Sequence, residues 1–549
     1  MRKIKNVRLL SKYRWPFFCL FCLFFLSLVA QNKKQPSKEK KTKIFLLHAD
    51  LAKADKLSRP GVQELVGTVK MRHDSMYMYC DSALIYENTN SVEAFSNVRM
   101  EQGDTLFIYG DYLDYDGATK LAKLRGSVKL VNKGTTLLTD SLNYDRMYDL
   151  CYYFMGGVMM DENNVLTSQW GEYSPATHIA VFNHNVKLNN PKFVLTSDTL
   201  RYNTVSKIAT ILGPSYIVSD SNHIYSERGI YNTLTDQGNL LGRSILRNEG
   251  KTLTGDSLYY NRKIGYGEAF GNVVMNDSIK KSMLTGDYCY LNELTDSAFC
   301  TKRAVGIDYS EADSLFLHAD TLTMVTFNMN TDSMYRLMKA YHKVRAYRES
   351  VQAQCDSLVY NSKDSCIMMY KDPILWSGKQ QLLGEEINLF MNDSTVDHAN
   401  IINQALAIEQ KDSIHYNQVS SKLMNAYFVK GEMRHVEMIG NVLIGFYPEE
   451  KDSTMLGYNN GEGSLLHIYL KDKKMEKAKM IGKSNGTLYP MSQIPVGKLK
   501  LPTFAWFDYA RPLNKNDIFN WRGKKESQQL KKTIHSTQIV DKRELVKMK

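Results

Sequence analysis

Large apolar side chains alternate with polar ones along short stretches of this chain, and the stretches recur. The clearest copy covers residues 253–261, where Leu258 and Tyr260 stand two and four residues after Asp256. A second stretch, residues 271–275, begins with Gly-Asn and alternates in the same way. Period-two alternation predicts strands that bury one face. We therefore expect Leu258 and Tyr260 to point inward on one strand.

The pair of stretches returns about every 30 residues, which is typical of stacked repeats. Each repeat supplies two strands with apolar inner faces, as two packed layers require. The pattern predicts an all-β fold, an elongated β-jellyroll or β-taco-like stack of about 13 two-strand repeats. The recurring Asp is expected to shape the turn at a strand entrance, and Gly-Asn to open the second strand.

The two ends of the chain differ in composition from the body. Residues 1–30 combine six Lys and Arg with an apolar run at 17–30, which predicts a signal peptide, with an uncleaved anchor as the alternative. Residues 31–43 form a Lys-rich linker, and residues 489–549 a Pro- and Trp-containing cap followed by a basic, disordered tail. The repeats are expected over residues 44–488. We predict that residues 490–523 fold back over the last strand.

The net charge of +12 resides in the ends, because residues 44–510 carry a net charge of −6. The repeats thus have no basic stripe, and nucleic-acid binding is not expected. Six cysteines follow the signal segment. The equal spacing of Cys289/Cys300 and Cys355/Cys366 permits a disulfide within a repeat, but small buried thiols are the favoured interpretation.

No motif in the chain predicts catalysis, a metal or a cofactor. Residues 482–486 match the G-x-S-x-G pattern, but the prolines that follow prevent the helix which a nucleophile elbow needs, so we interpret this stretch as a turn. Neighbouring acids such as Glu385 and Glu386 would point to opposite faces of a strand. The chain shows no HExxH, P-loop or dinucleotide fingerprint. We expect no enzyme activity.

The alternation Gly-Asp-x-Leu-x-Tyr, followed by Gly-Asn-Val, resembles the OstA/LptA family of lipopolysaccharide-transport proteins. Residues 255–261 with 269–273 carry the resemblance most clearly, and it extends over about residues 44–480. The resemblance implies a periplasmic jellyroll whose groove holds the acyl chains of lipopolysaccharide or a related envelope lipid. Expected groove-lining residues are Leu84, Tyr86, Leu113, Tyr115, Val128, Leu130, Leu142, Tyr144, Leu200, Tyr202, Leu258, Tyr260, Val273, Met275, Leu358 and Tyr360.

The resemblance further implies partners with the same fold. These are the jellyroll domains of inner- and outer-membrane transport components, or a second copy joined head to tail through open strand edges. We expect the first edge, near residues 44–57, to be the open one. The alternative functions are a structural scaffold or adhesin with no transport role, and a polysaccharide-degrading β-helix enzyme. A tightly packed interior without a groove is the alternative to the lipid-binding interpretation.

Overall fold

The computed structural model describes residues 42–523 except 56, 220–221, 393–394, 451, 453 and 473. The predicted signal peptide, most of the Lys-rich linker and the end of the basic tail lie outside the described residues. Where the chain is described, none of its helices has the length and apolar character that crossing a membrane requires.

The first of two compact units ends at Tyr152. It is built from antiparallel strands, and each long strand pairs with the next one along the chain. The two short strands at its start both pair with the third. The strands are β1 (Phe45–His48), β2 (Leu51–Ala54), β3 (Val62–His73), β4 (Met76–Tyr86), β5 (Ser91–Gln102), β6 (Leu106–Asp116), β7 (Leu121–Asn132), β8 (Thr135–Asp145) and β9 (Leu150–Tyr153).

The second unit begins at Tyr153 and repeats this antiparallel arrangement. Its strands are β10 (Gly157–Asp161), β11 (Asn164–Ser168), β12 (Trp170–Ser174), β13 (Ile179–Asn190), β14 (Phe193–Asn203), β15 (Ile208–Ile211), β16 (Ser215–Ser219), β17 (Asn222–Ser226), β18 (Arg228–Asn232), β19 (Gln237–Asn248), β20 (Lys251–Asn261), β21 (Tyr266–Asp277), β22 (Ser282–Asn292), β23 (Ser297–Thr301), β24 (Val305–Asp308), β25 (Leu315–His318), β26 (Thr321–Phe327), β27 (Tyr335–Tyr347), β28 (Gln352–Asn361), β29 (Cys366–Tyr370), β30 (Ile374–Ser377), β31 (Gln380–Leu383), β32 (Glu386–Met391), β33 (Val396–Gln410), β34 (Tyr416–Val429), β35 (Glu432–Phe446), β36 (Tyr458–Lys471), β37 (Lys474–Ile481) and β38 (Asn485–Tyr489). Short 3-10 helices cover Arg262–Ile264, Met491–Gln493, Val496–Lys498, Asp508–Ala510 and Asp517–Phe519. The expected all-β fold class is confirmed.

Each long strand bends at a corner near its middle. In β21 the corner is formed by Gly271 and Asn272, whose φ values of 70° and 47° lie in the left-handed region. The pairing register with β20 shifts at the same place, which identifies a β-bulge. Gly-Asn therefore lies at the corner of one strand, and our expectation that it opens a separate strand is wrong. The reason is that two successive left-handed residues turn the strand without ending its ladder.

The recurring Asp also lies at this corner and not at a strand entrance. The Asn272 amide donates a hydrogen bond to the Asp256 carboxylate on the neighbouring strand, at 2.9 Å. In the first unit the Asn97 amide donates to Asp81 in the same way, at 2.7 Å. Asp and Gly-Asn are thus the two halves of one corner contact between adjacent strands.

The corner divides each strand into two half-strands whose side chains face each other. In the first unit the Tyr144 hydroxyl donates to Gln102, at 3.0 Å, although the two residues lie on opposite half-strand layers. Nδ1 of His73 lies 2.5 Å from the Tyr115 hydroxyl across the same interior. We call the face that carries Tyr115 and Tyr144 the inner face, and the opposite face the outer face. In the second unit we use the same terms for the faces that carry Tyr202 and Tyr259 respectively.

After β38 the chain returns onto the outer face of the second unit. Residues 499–522, which we call the strap, pack on half-strands of β28, β30, β31, β33 and β34. The expectation that this segment covers the last strand is therefore not met. Leu488, in β38, is 63% exposed. The strap takes the face because the apolar side chains there, such as Trp376, need a cover.

We expect Gly271→Ala to lower the free energy of unfolding more than Gly242→Ala. Both glycines are the first left-handed residue of a corner, with φ of 70° and 77°, so an added Cβ costs each about 1–2 kcal/mol. At Gly271 the new Cβ would also collide with the Asp256 carboxylate, whereas at Gly242 it meets no atom within 4 Å. Urea unfolding of the two variants measures the difference. Equal losses would show that the approach of Asp256 carries no steric cost.

Candidate functional site

The inner face of the first unit is fully sealed. Its apolar side chains come from both layers and are buried almost completely, as expected when two half-strand layers cover each other. The outer face at matching positions carries Lys70, Arg99 and Lys129, which are half-buried or exposed. The sealed inner residues include Met71, Met78, Met100, Ile108, Leu113, Tyr115, Leu124, Leu130, Leu137, Leu142 and Tyr144.

In the second unit the inner face is sealed at first and then becomes partly exposed. Strand pairing carries one inner position from Tyr202 to Tyr231 and on to Tyr260. The exposed fraction of the side chain is 0% at Tyr202, 7% at Tyr231 and higher at Tyr260. The same position reaches Met338, which is 44% exposed. A large apolar side chain in this state has a free surface on the interior side of its layer.

The other layer of the second unit changes in the same direction. Leu188, Leu195 and Ile217 are buried on the inner face, whereas most of the residues that follow in register from Ile224 are half-buried, with Leu253 and Ala346 as buried exceptions. The partly exposed inner residues of both layers, between β17 and β32, form what we call the candidate face. They are Ile224, Leu246, Tyr260, Met275, Leu284, Leu291, Leu317, Met324, Met338, Ala353, Leu358, Tyr360, Ile367, Leu375, Leu382 and Leu389.

Small residues explain why the interior is not filled here. At the inner position that holds Leu188, Leu195 and Ile217 in the sealed strands, later strands place Gly306, Ala346 and Ala353. Fewer side-chain atoms then occupy the space between the layers, so the large inner residues nearby are only partly covered. Ala407 of β33 continues the same position.

Polar side chains bridge the two layers along the sealed part of the second unit. Lys207 Nζ lies 2.8 Å from the buried Asp161 carboxylate and 3.1 Å from Glu162. The Tyr202 hydroxyl donates to Asp161 at 2.7 Å. Burial by itself would lower the pKa of Lys207, but hydrogen bonds to Asp161 and Glu162 outweigh this effect and raise it. Lys207 is therefore fully charged at neutral pH and holds the layers together at their rim.

The candidate face is a surface between strands and not an enclosed pocket. A cavity of about 240 Å³ does occur in the second unit, but it lies on the outer face of β22, β23, β26 and β27. Tyr290, Phe299 and Val325 are among its lining residues. On the inner side, burial raises the pKa of Tyr260 to about 12, so this hydroxyl is neutral at physiological pH.

The predicted groove residues fall into three groups. Four of them, Tyr260, Met275, Leu358 and Tyr360, lie on the candidate face. Ten are sealed core residues, and these are Leu113, Tyr115, Val128, Leu130, Leu142, Tyr144, Leu200, Tyr202, Leu258 and Val273.

Leu84 and Tyr86 form the third group, because they lie on the outer face. Ala83 and Ile85 are buried in their place. In this copy Leu stands three residues after the corner Asp, at position 81, instead of two as in residues 256–258. A one-residue change in spacing moves a side chain to the other face of a strand. The expectation that Leu84 and Tyr86 point inward is thus wrong.

The two cysteine pairs differ although their spacing is equal. Cys289 and Cys300 lie directly opposite each other on β22 and β23 and form a disulfide. Cys355 and Cys366 are buried free thiols, because Cys366 lies opposite Asn361 in its hairpin. The favoured interpretation of six separate thiols is wrong for the first pair. Hairpin register decides which pair can bond.

Comparison with known proteins finds related sequence over part of the chain. Residues 41–198 match the model of a family described as OstA-like protein. This segment of the chain is OstA-like. It contains β1 to β13, whose long strands are sealed on the inner face, and ends within β14, before the candidate face begins. The match confirms the expected family for this segment.

Eleven chains of solved structures also match. One is LptH from Pseudomonas aeruginosa, the LptA-homologous periplasmic component of a lipopolysaccharide transport device. It is 15% identical, and the match covers 21% of this chain and 79% of LptH, with a TM-score of 0.18. No curated protein matches the chain.

Sequence reasoning missed most of the candidate face beyond the OstA-like segment. Ile224, Leu246, Leu291 and Met338 stand outside the copies of the Asp-x-Leu-x-Tyr pattern, and Met324 replaces Tyr in the copy that begins at Asp320. A signal was nevertheless present in Gly306, Ala346 and Ala353, which occupy a position where the sealed repeats carry Leu or Ile. A comparison of side-chain volumes at each inner position, from one repeat to the next, would have located the strands where the inner face becomes partly exposed.

We expect Asp161→Asn to destabilise the second unit by about 3 kcal/mol, because it leaves the Lys207 ammonium without its buried carboxylate. Glu162→Gln is the matched control, since its carboxylate also contacts Lys207 but is 63% exposed. That variant should cost less than about 1 kcal/mol. Denaturant unfolding measures both. Similar effects from the two variants would contradict a special role for the buried pair.

Proposed function

We propose that this chain is an exported lipid carrier that holds acyl chains of lipopolysaccharide, or of a related envelope lipid, on the candidate face. The observation that carries the proposal is the change at one repeat position from the sealed Tyr202 to the exposed Met338. A protein that needed only a stable core has no use for large apolar side chains on an unfilled interior. The OstA-like segment supports the same class of function.

The side chains of the candidate face suit a flexible hydrocarbon. Methionines 275, 324 and 338 are unbranched and adapt to an irregular surface. Each methylene group that is transferred from water to this face contributes about 0.8 kcal/mol, so one acyl chain provides several kcal/mol. Gly and Ala between the large residues leave room for the chain. The sealed strands before residue 217 are proposed to support the face and not to bind lipid.

The proposed location is the periplasm. The signal-like pattern of residues 1–30 supports export, and the disulfide between Cys289 and Cys300 suits an oxidising compartment. The proposed role involves no catalysis. If no lipid binds the candidate face, the structural scaffold becomes the better interpretation.

A carrier of this kind needs partners that continue its surface. β1 and β2 pair with β3, and no partner for their other edge occurs among the described residues. β37 and β38 pair with β36 and likewise end the ladder of the second unit within the described range. Exposed Leu46 and Leu51 flank the first edge, and Leu488 flanks the second. We propose that these edges join jellyroll domains of membrane-bound components or another copy of the chain.

We expect a photo-crosslinking residue at Tyr260 to capture lipopolysaccharide in the periplasm. The matched controls are Tyr259, on the outer face of the same strand, and Tyr202, at the sealed inner position. Neither control should give a lipid adduct, because neither side chain reaches the candidate face. Immunoblots developed for protein and for lipopolysaccharide identify the adduct. Equal capture at Tyr259 and Tyr260 would contradict lipid binding on the inner side.

We expect Leu46→Pro and Thr487→Pro each to block one edge without unfolding the chain, because a proline removes a ladder donor at the rim of the sheet. Each variant alone should then fail to form chains longer than two copies. A mixture should form heterodimers through the two remaining edges. Crosslinking followed by mass analysis measures the products. Long oligomers from either variant alone would show that these edges are not the joint.

A further inference from the structure

The strap gives part of the second unit a hydrophobic core on its outer side. Phe507 and Ala510 of the strap are fully buried against the outer face, and Ala505 is nearly so. Phe504, Trp506 and Tyr509 pack around this cluster. The strand residues in the cluster are Ile374, Trp376, Leu383, Leu406, Ile408 and Tyr416, and they come from four different strands.

Buried glutamines hold the backbone of the strap in place. Gln381 donates to the Ala505 carbonyl and accepts from the Phe507 amide, both at 2.8 Å. Gln418 donates to the Leu499 carbonyl at 2.6 Å and accepts from the Leu501 amide at 2.8 Å. Each glutamine side chain thus satisfies two backbone groups of the strap, one N–H and one C=O, which a neighbouring strand would otherwise have to pair with.

A charged contact fixes the other end of the strap. The guanidinium of Arg345 is completely buried, donates to the Ala510 carbonyl at 3.2 Å, and lies 3.6 Å from the Asp517 carboxylate. Asp517 also accepts hydrogen bonds from Arg522. A charge buried in this way requires its partners to stay in place. The strap is therefore bound as a defined element and does not merely lie on the surface.

In the half-strands that the strap covers, the better-buried apolar residues lie on the outer face, which is the reverse of the first unit. In β6 and β7 the large apolar residues are on the inner face, whereas Tyr109 and Lys129 are on the outer face. In β28 to β34 the inner positions hold Ala353, Leu375, Leu382 and Ala407, which are only half-buried. Their outer neighbours, such as Ile374 and Leu383, are sealed by the strap. In the half-strands under the strap, these outer residues are thus more completely buried than the four inner ones.

We propose that the strap supplies a core for the half-strands it covers, whose inner residues are only half-buried, and that by doing so it keeps the candidate face available to ligand. A strand that buries neither face lacks the apolar burial that stabilises it, about 1.5–3 kcal/mol for each large side chain. Two facing layers without a strap gain that burial by closing on each other, which removes the free inner surface. The second part of this inference rests on the proposed function.

The test separates the strap from the folded chain after folding. A protease site inserted next to Val496, which is 85% exposed, allows the connection between β38 and the strap to be cut. The cleavable chain also carries Phe507→Ser, which weakens the packing of the strap so that the segment dissociates after it has been cut. A synthetic peptide of residues 499–523 is then added back, and the same peptide with Phe507→Ser is its control.

Two measurements follow the inner face without reference to lipid. The first is the rate at which Met338→Cys reacts with a water-soluble maleimide, with the parent chain as background because the free thiols among its described residues are buried. The second is hydrogen exchange in β30 and β31. We expect strap removal to slow the maleimide reaction severalfold, or to abolish exchange protection in these strands, and the peptide to restore the native behaviour.

A third measurement is capture of detergent-dispersed lipopolysaccharide by a photo-crosslinker at position 338, which should be lost with the strap and regained with the peptide. Unchanged maleimide reaction, exchange and capture after the strap has left would overturn the inference. Absence of capture in the uncut chain would instead refute the proposed function, while maleimide reaction and exchange still decide whether the strap is the core of these strands.

Discussion

Each long strand of this fold needs to bury one of its two faces, and the rest of the structure depends on how that requirement is met. An isolated antiparallel layer with both faces in water has no hydrophobic stabilisation. The corner in each long strand supplies a solution that is local in sequence, because it turns the strand and brings its second half opposite its first. Leu113 and Tyr115 on one half of β6, and Ile108 on the other, can then share one interior.

The corner is built from contacts that repeat along the chain. Asn272 donates to Asp256, and Gly271 both adopts a left-handed conformation and leaves room for the carboxylate. Several corners replace Gly by another residue, such as His184 or His342, which accept the same region of φ at some energetic cost. The motif is weak as sequence because its function is conformational, and more than one residue can satisfy it. This explains why the structural repeat persists although the residue types at its corners vary.

The fold class was predictable because alternation and period reflect backbone geometry directly. The position of the corner was not, since a Gly-Asn pair followed by Val is as typical of a strand start as of a bulge. The candidate site was predictable only in part. Tyr260 and Tyr360 follow the pattern and lie on the candidate face, whereas Tyr115 and Tyr202 follow it equally well and are sealed. Their difference depends on the volume of residues on other strands, which a motif does not contain. The position of the strap could not be predicted for a similar reason. Gln381 and Gln418 look like ordinary polar residues of a strand in the sequence, and their role follows only from the distant backbone that they bind.

Burial of the outer face allows the inner residues of these strands to become smaller without loss of strand stability. A protein that enlarges its interior by replacing Leu with Ala normally loses stability in proportion to the cavity it creates. Here the loss at Ala346, Ala353 and Ala407 coincides with large apolar residues on the opposite face and with a segment that covers them. The volume of the space between the layers then depends on the inner residues, whereas the stability of these strands depends on the strap. The two properties can therefore change independently. Substitutions on the inner face can then accumulate without unfolding the strands that carry it.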